Sequence, residues 1–400
     1  TGFGAGQPWA YRSLLMVVQV ALSIVLLVGS GLMARSFQRL RSAGLGFNPN
    51  GVVTFWVNLP EAGYRTDAAK RDFYRRALER ITAAPGVESV CVSSFLAFGP
   101  YITTSFNLEG QPLVPPREDQ QAAYKVIGFG YFKTLSIPLL AGREFSRDDR
   151  TGTRPVAIVS KAFADKYFPG QSPVGKRIHT DWEGEPAWRE IVGVAANVMD
   201  CGSLFDSSPE FYGPIMQASP PGSLAFLVKS GRDPKSMERS LRSLILSVDK
   251  DQPISHVQTM DESHSEMLAE PRFETELASS FSILALVLAG VGLYGLVSYS
   301  VTERTQEVGI RMALGASRHH LLALLMGRGM VAVFAGIAVG LAASIALTRF
   351  ISSLLNGVSP TDAVTFIAVP LLLAGVTMAA SYLPARRAIK LDPVHVLRYE

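Results

Sequence analysis

Charge is scarce in this 400-residue sequence, and it is missing altogether from four long stretches. Asp, Glu, Lys and Arg make up 18% of the residues against 48% hydrophobic ones, and the mean hydropathy is +0.21. Soluble domains carry about 25% charged residues, so the deficit argues against a wholly water-soluble chain. Cysteine is nearly absent: only Cys91 and Cys201 occur. Two thiols so far apart make neither a disulfide framework nor a Cys-rich zinc site, and whether they pair or stay separate is open. The six histidines form no H-E-x-x-H motif, and adjacent His319 and His320 point about 100° apart on a helix, poorly placed to share a metal. No G-x-S-x-G nucleophile elbow is present. No basic run is interleaved with aromatics, so the net charge of +4 does not imply nucleic acid. Basic residues beside membrane spans serve topology and anionic lipid instead.

The uncharged stretches are residues 13–34, 277–302, 329–348 and 363–385. Each is long enough, as helix, to cross a hydrocarbon layer about 30 Å thick. Four membrane-spanning helices follow. The first stretch exceeds the roughly 7–15 apolar residues of a signal-peptide core and reads as an uncleaved anchor. No acid lies inside any of the four windows, which leaves no intramembrane carboxylate to couple an ion gradient. Arg304, Arg311, Arg318 and Arg328 fall between the second and third spans, and Arg386, Arg387, Lys390 and Arg398 follow the fourth. These segments are therefore expected in the cytoplasm, with the large segment after the first span outside. Arg35, Arg39 and Arg41 oppose that orientation, but they begin a long domain, and long domains translocate largely regardless of charge.

Residues 47–265 read as one mixed α and β domain. Strand 51–60, helix 66–84 and β-rich 87–98 form one strand–helix–strand unit; strand 224–230, helix 233–249 and strand 253–260 form another. The section between them holds short strands at 155–160 and 190–198 and a helix at 161–168. Gly170, Gly175 and Lys176 match the spacing of a phosphate-binding loop. Arg177 stands where that loop needs Ser or Thr, Pro173 stiffens it, and a helix rather than a strand precedes it, so it reads as a Gly/Pro turn. With no other such motif, any use of ATP requires another subunit.

Residues 303–328 contain ERTQEVGIRMALGAS. As a helix, Arg304, Glu307 and Arg311 share one face, with Glu307 and Arg311 a favourable i,i+4 pair. Gly315 and Ala316 break the pattern, and Ser317 can cap the next helix. In the third span Ala332, Gly336, Gly340 and Ser344 form a small-residue stripe that permits close approach of another helix, from the same chain or a second copy. Residues 386–400 form a basic amphipathic tail.

The string ERTQEVGIRMALGAS resembles the signature of the FtsX-like and MacB-like permeases of ABC transporters. LPARRAIKLDPVHVLRYE resembles their C-terminal end, and VVQVALSIVLLVGSGLMARS their first span. GYFKTLSIPLLAGREFSRDD, AIVSKAFADKYFPGQSPVGKRI and REIVGVAANV resemble the MacB-type periplasmic core. The resemblance implies a four-helix membrane unit with an α+β extracytoplasmic domain of two lobes between helices 1 and 2. The membrane-near lobe is 47–110 with 220–265, and the inserted lobe is 110–220. It further implies a multi-pass protein of the bacterial inner membrane that works by mechanotransmission in export or, alternatively, as an FtsX-like regulator of an envelope hydrolase. A cytosolic ABC ATPase would dock at Glu303, Arg304, Glu307, Gly309, Arg311, Gly315 and Ala316, binding the ATP and Mg while this chain holds no cofactor. A second permease copy or sister half, and a periplasmic adaptor with an outer-membrane channel, are the other implied partners. The wording is similar to duplicated orphan permeases, in which two such units lie in one chain, and the start at Thr1 would suit a second copy.

Overall fold

The computed structural model describes residues 7–42, 44–98, 102–111, 120–180, 187–199, 208–232, 234–303, 318–349 and 358–389, together with Leu355. The chain divides into two units, Ser42–Ala269 and the combination of Thr1–Arg41 with Glu270–Glu400.

In the first of these, strands β1 (Val52–Asn58), β2 (Val87–Ser93), β10 (Ser223–Ser230) and β11 (Ile254–Thr259) lie in the order β11-β1-β10-β2 with antiparallel neighbours. Helix α2 (Asp67–Thr82) joins β1 to β2, and α5 (Pro234–Val248) joins β10 to β11, making two interleaved β-α-β units. Thr66 caps α2 by accepting the Ala69 amide at 3.2 Å, which satisfies one of the orphan donors at the helix start. Phe73, Tyr74, Ala77 and Ile81 then place one apolar face of α2 in the core. Phe55 of β1 sits directly opposite Phe226 of β10 with the rings stacked at 4.9 Å. Such a cross-strand aromatic pair fixes register as well as burying area.

The central strands are buried on both faces. Val53, Phe55 and Val57 face the core shared with α2 and α5. Val52, Cys91 and Leu227 face a second core that includes Tyr131 and Phe132 of the short helix α3 (Tyr131–Thr134) and Met260 of α6 (Met260–Met267). β2 stops at Ser93, and Ala97 and Phe98 turn into this second core. Cys91 is a free thiol there, and burial pushes its pKa up to about 12. Cys201 lies outside the described residues.

The inserted section closes on itself. Strands β3 (Ile102–Leu108), β4 (Gln121–Ile127), β6 (Val156–Ser160), β7 (Arg177–Thr180), β8 (Ala187–Ala195) and β9 (Glu210–Pro214) run β4-β3-β7-β8-β6-β9, and β9 pairs back onto β4 in parallel. A six-stranded ring results, with β5 (Leu139–Gly142) beside β8. Phe106, Tyr124, Ile178, Ile191, Val159 and Phe211, one from each strand, meet Phe163 of α4 (Lys161–Tyr167) in a single apolar cluster. Closing the ring removes the open edges that a sheet of short strands would expose. Gly170 and Gly175 sit in turns with φ of +71° and +86° after α4, and Lys176 leads into strand β7, so the loop-like glycine pattern is a turn.

One buried ion pair stands where the ring closes. Lys125 of β4 meets Glu210 of β9 at 2.5 Å, with the two side chains 5% and 7% exposed. Lys125 also donates to the Ala97 carbonyl at 3.1 Å, and the Tyr212 hydroxyl donates to Glu210. Replacing Lys125 by Met leaves a buried carboxylate without its counter-ion, and breaking such a pair costs about 3–5 kcal/mol. Chemical unfolding of the purified chain, followed by near-UV circular dichroism, is expected to show that loss for Lys125→Met. The double variant Lys125→Met/Glu210→Leu should recover much of it, because an apolar pair needs no desolvation.

The other unit holds α1 (Gln7–Ser42), α7 (Ala269–Glu303), α8 (Arg318–Thr348) and α9 (Ala363–Ile389). All four are long and apolar enough to cross a membrane, over Ser13–Ser42, Ala269–Tyr299, Met330–Thr348 and Ala363–Pro384. The helices outrun the uncharged windows. α1 continues unbroken through Arg35, Arg39 and Arg41, and its 36 residues amount to about 54 Å of helix. Charge ends a window, but arginine is a good helix former and does not end a helix. α9 carries Pro370 and Pro384 inside it, as membrane helices tolerate.

Candidate functional site: the packing of the membrane helices

Helix α1 touches each of the other three spans. Of its membrane window 44% is buried within the protein, against 24, 33 and 22% for the windows of α7, α8 and α9, so α1 is the most enclosed of the four spans. Met16, Val20, Ile24, Val28 and Leu32 recur at helical spacing and lie in one cluster with Leu293 and Val297 of α7, Val333 and Ile337 of α8, and Val369 and Leu373 of α9.

The stripe on α8 meets α1 at the shortest range. A Cβ on Gly336 would lie 2.7 Å from Val20 Cβ and 3.0 Å from the Val17 carbonyl oxygen. A Cβ on Gly340 would lie 2.7 Å from Ile24 Cβ and 2.9 Å from the Ala21 carbonyl oxygen. Only glycine allows backbones this near, the arrangement that small residues permit in lipid. The contacts advance in the same sense along both helices, so α1 and α8 run parallel, as a first and a third span must. Ala332 and Ser344 are buried, and Ser344 returns its hydroxyl to the Gly340 carbonyl at 2.8 Å.

Polar contacts join α1 to its antiparallel neighbours. Ser282 of α7 donates to the Leu26 carbonyl at 2.8 Å, and Ser23 donates to the Ala285 carbonyl at 3.2 Å and to its own Gln19 carbonyl at 2.9 Å. Arg35 forms an ion pair with Asp362, which also caps α9 by accepting the Thr365 amide at 3.0 Å and its hydroxyl at 2.9 Å. Asp362 is only 14% exposed. Arg35, one of the three arginines that oppose the charge rule, is thus paired within the bundle with a carboxylate at the start of α9. Sequence reasoning missed Ser23, Ser282, Arg35 and Asp362 as packing residues. Arg35 and Asp362 carried a signal, as charges at the rim of uncharged windows, whereas Ser23 and Ser282 carried none, because other hydroxyl or amide side chains lie in the same windows.

Of the residues expected to meet an ATPase, Arg304, Glu307, Gly309, Arg311, Gly315 and Ala316 lie outside the described residues, as does the Ser317 cap. Glu303 ends α7. The segment joins α7 to α8, whose first described residue is Arg318. Among the described residues no cluster of His, Cys, Asp or Glu could hold a metal ion.

A four-span unit with a two-lobed domain between its first two helices is the architecture of a transporter permease with an extracellular domain. The chain belongs to the MacB-like periplasmic core domain family, which matches residues 13–244, and residues 279–393 match the FtsX-like permease C-terminal family. It is thus a MacB-like and FtsX-like ABC permease. It is 29% identical over 289 residues to the uncharacterized ABC transporter permease YknZ of Bacillus subtilis, covering 71% of each chain. It is 25% identical over 319 residues to the macrolide export ATP-binding/permease protein MacB of Neisseria gonorrhoeae. That match covers 77% of this chain but only 48% of MacB, so the chain spans about half the length of that relative. The periplasmic region of MacB from Actinobacillus actinomycetemcomitans superposes with a TM-score of 0.38 at 16% identity, covering 58% of this chain and 99% of that one.

The glycine contacts yield a test with an internal control. Gly340→Ala drives a methyl group into Ile24, and over-packing costs about 1–3 kcal/mol. Gly375→Ala on α9 meets nothing within 4 Å and gains up to about 1 kcal/mol of helix propensity. Thermal unfolding of the detergent-solubilised chain should therefore show Gly340→Ala destabilised and Gly375→Ala unchanged or more stable.

Proposed function

We propose that this chain is the permease subunit of an ABC-type transporter in the bacterial inner membrane, working by mechanotransmission. ATP binding and hydrolysis, with Mg, belong to a separate cytosolic ATPase that docks on residues 303–318. Closure of that ATPase displaces the segment and, with it, α8. Because α8 lies backbone to backbone against α1 at Gly336 and Gly340, α1 follows. α1 runs as one helix to Ser42, so a displacement of α1 is carried along its whole length to that end. This continuous path, from α8 through α1 to Ser42, is the observation that carries the reading. Export is favoured by the similarity to MacB, whose name describes a macrolide exporter with its ATP-binding part in the same chain. The moving unit is completed by a second copy or a sister half, and an adaptor with an outer-membrane channel would receive the cargo.

The docking assignment is tested by reversing charge. Exchanging both charges with Glu307→Lys and Arg311→Glu keeps the net charge and opposite signs at i and i+4 of the sequence but alters the charges offered to the ATPase. The variant is expected in the membrane at wild-type level with its co-purifying ATPase lost. Recovery of the ATPase at wild-type yield would contradict the assignment.

A further inference from the structure

The bundle contains an apolar groove that the transport reading does not use. α1, α7 and α8 leave a cavity of about 570 Å³ between them, lined by Val25, Gly29, Met33, Phe281 and Leu347, with Glu274 also at its wall. Phe281 and Leu347 are 54% and 47% exposed, so the groove opens sideways to the surrounding medium, which for these helices is lipid. Glu274 stands one turn of α7 before the uncharged window that begins at residue 277, the depth of the headgroups rather than of the hydrocarbon. Its neighbour Arg272 is committed to Glu276, and Glu274 itself has no hydrogen-bond or ion-pair partner among the described residues.

We propose that this groove binds one acyl chain of a phospholipid whose ethanolamine headgroup places its ammonium on Glu274. Size and charge select this occupant. A helix about 10 Å across would fill the cavity with only about five residues, much less than a membrane-spanning contact needs. An acyl chain is thin enough to lie along the groove and bury Leu26, Leu277 and Phe281 beside it. An anionic headgroup would be repelled by the carboxylate. A choline headgroup carries the charge but no N–H to donate, so it ranks between the two. Lipid held here would lie against α1 and α8 on the side of the bundle where Ser30, Ser344 and Thr348 already spend their hydroxyls on their own helices. Nothing polar in the groove is then left exposed to the chain.

Native mass spectrometry of the full chain, purified in mild detergent and offered vesicles of phosphatidylethanolamine, phosphatidylcholine or phosphatidylglycerol, tests the site without any ATPase. One phosphatidylethanolamine per chain is expected to survive, with choline lipid weaker and glycerol lipid weakest. Glu274→Gln should reduce the preference for ethanolamine over glycerol lipid by roughly fivefold, the upper size of an exposed ion pair. Gly29→Leu should fill the groove and remove lipid of every headgroup, because a Cβ at Gly29 meets nothing within 4 Å and the branch beyond it extends into the open groove. Equal retention of the three lipids by the wild type would overturn the proposal. So would lipid unchanged in Gly29→Leu, or a lipid-free dimer that Gly29→Leu converts to monomer.

Discussion

The contact of α8 with α1 is the constraint on which the membrane unit depends. Two glycines one helical turn apart bring α8 against Val20 and Ile24 of α1, which is joined along the same helix to α7 through serine–carbonyl bonds and, about three turns further on, to α9 through Arg35 and Asp362. In hydrocarbon there is little hydrophobic force to hold helices together, so close packing and hydrogen bonds must do it. Each of the other three spans makes at least one such contact with α1. It is also the helix that runs on, as one unbroken element, to the start of the outer domain.

The outer domain is built to keep its own shape. Its six-stranded ring has no free edge, and its closing strand pair carries a buried Lys–Glu bond that is costly to break once formed. Tyr212 and the Ala97 carbonyl complete the hydrogen bonding of that pair. The β-α-β lobe receives both chain connections to the membrane unit, and its central strands are packed on two faces. A domain so braced can be displaced as a body, which mechanical coupling requires.

The sequence showed the spans plainly, since a helix buried in a soluble core seldom runs about 20 residues without a charge, and a membrane span must. It did not show that α1 and α7 continue beyond those windows, because the continuation is carried by charged residues that a hydropathy window excludes. The stripe Ala332–Gly336–Gly340–Ser344 announced a close approach but not its partner; small residues say that something comes near, and only the fold says that it is Val20 and Ile24. The two strand–helix–strand units were visible from the alternation of strand-like and helix-like patterns. The ring between them was not. Its strands are four to nine residues long, several are apolar on both faces and lack alternation, and its closing pair, β4 with β9, is parallel and distant in sequence. The motif at 303–318 was the clearest functional signal in the sequence, and it stands there as sequence alone.

The proposed coupling of α8 to the outer domain through α1 is tested most directly by a distance measurement across the membrane. Fluorophores at Glu61→Cys in the outer domain and Arg386→Cys beyond the fourth span, both exposed positions, report that distance in a Cys201→Ser background with the buried Cys91 left in place. In the chain reconstituted with its co-purifying ATPase, the distance is expected to change on adding ATP. The change should vanish in Gly340→Ile while ATP hydrolysis continues. A change of undiminished size in Gly340→Ile would contradict the account.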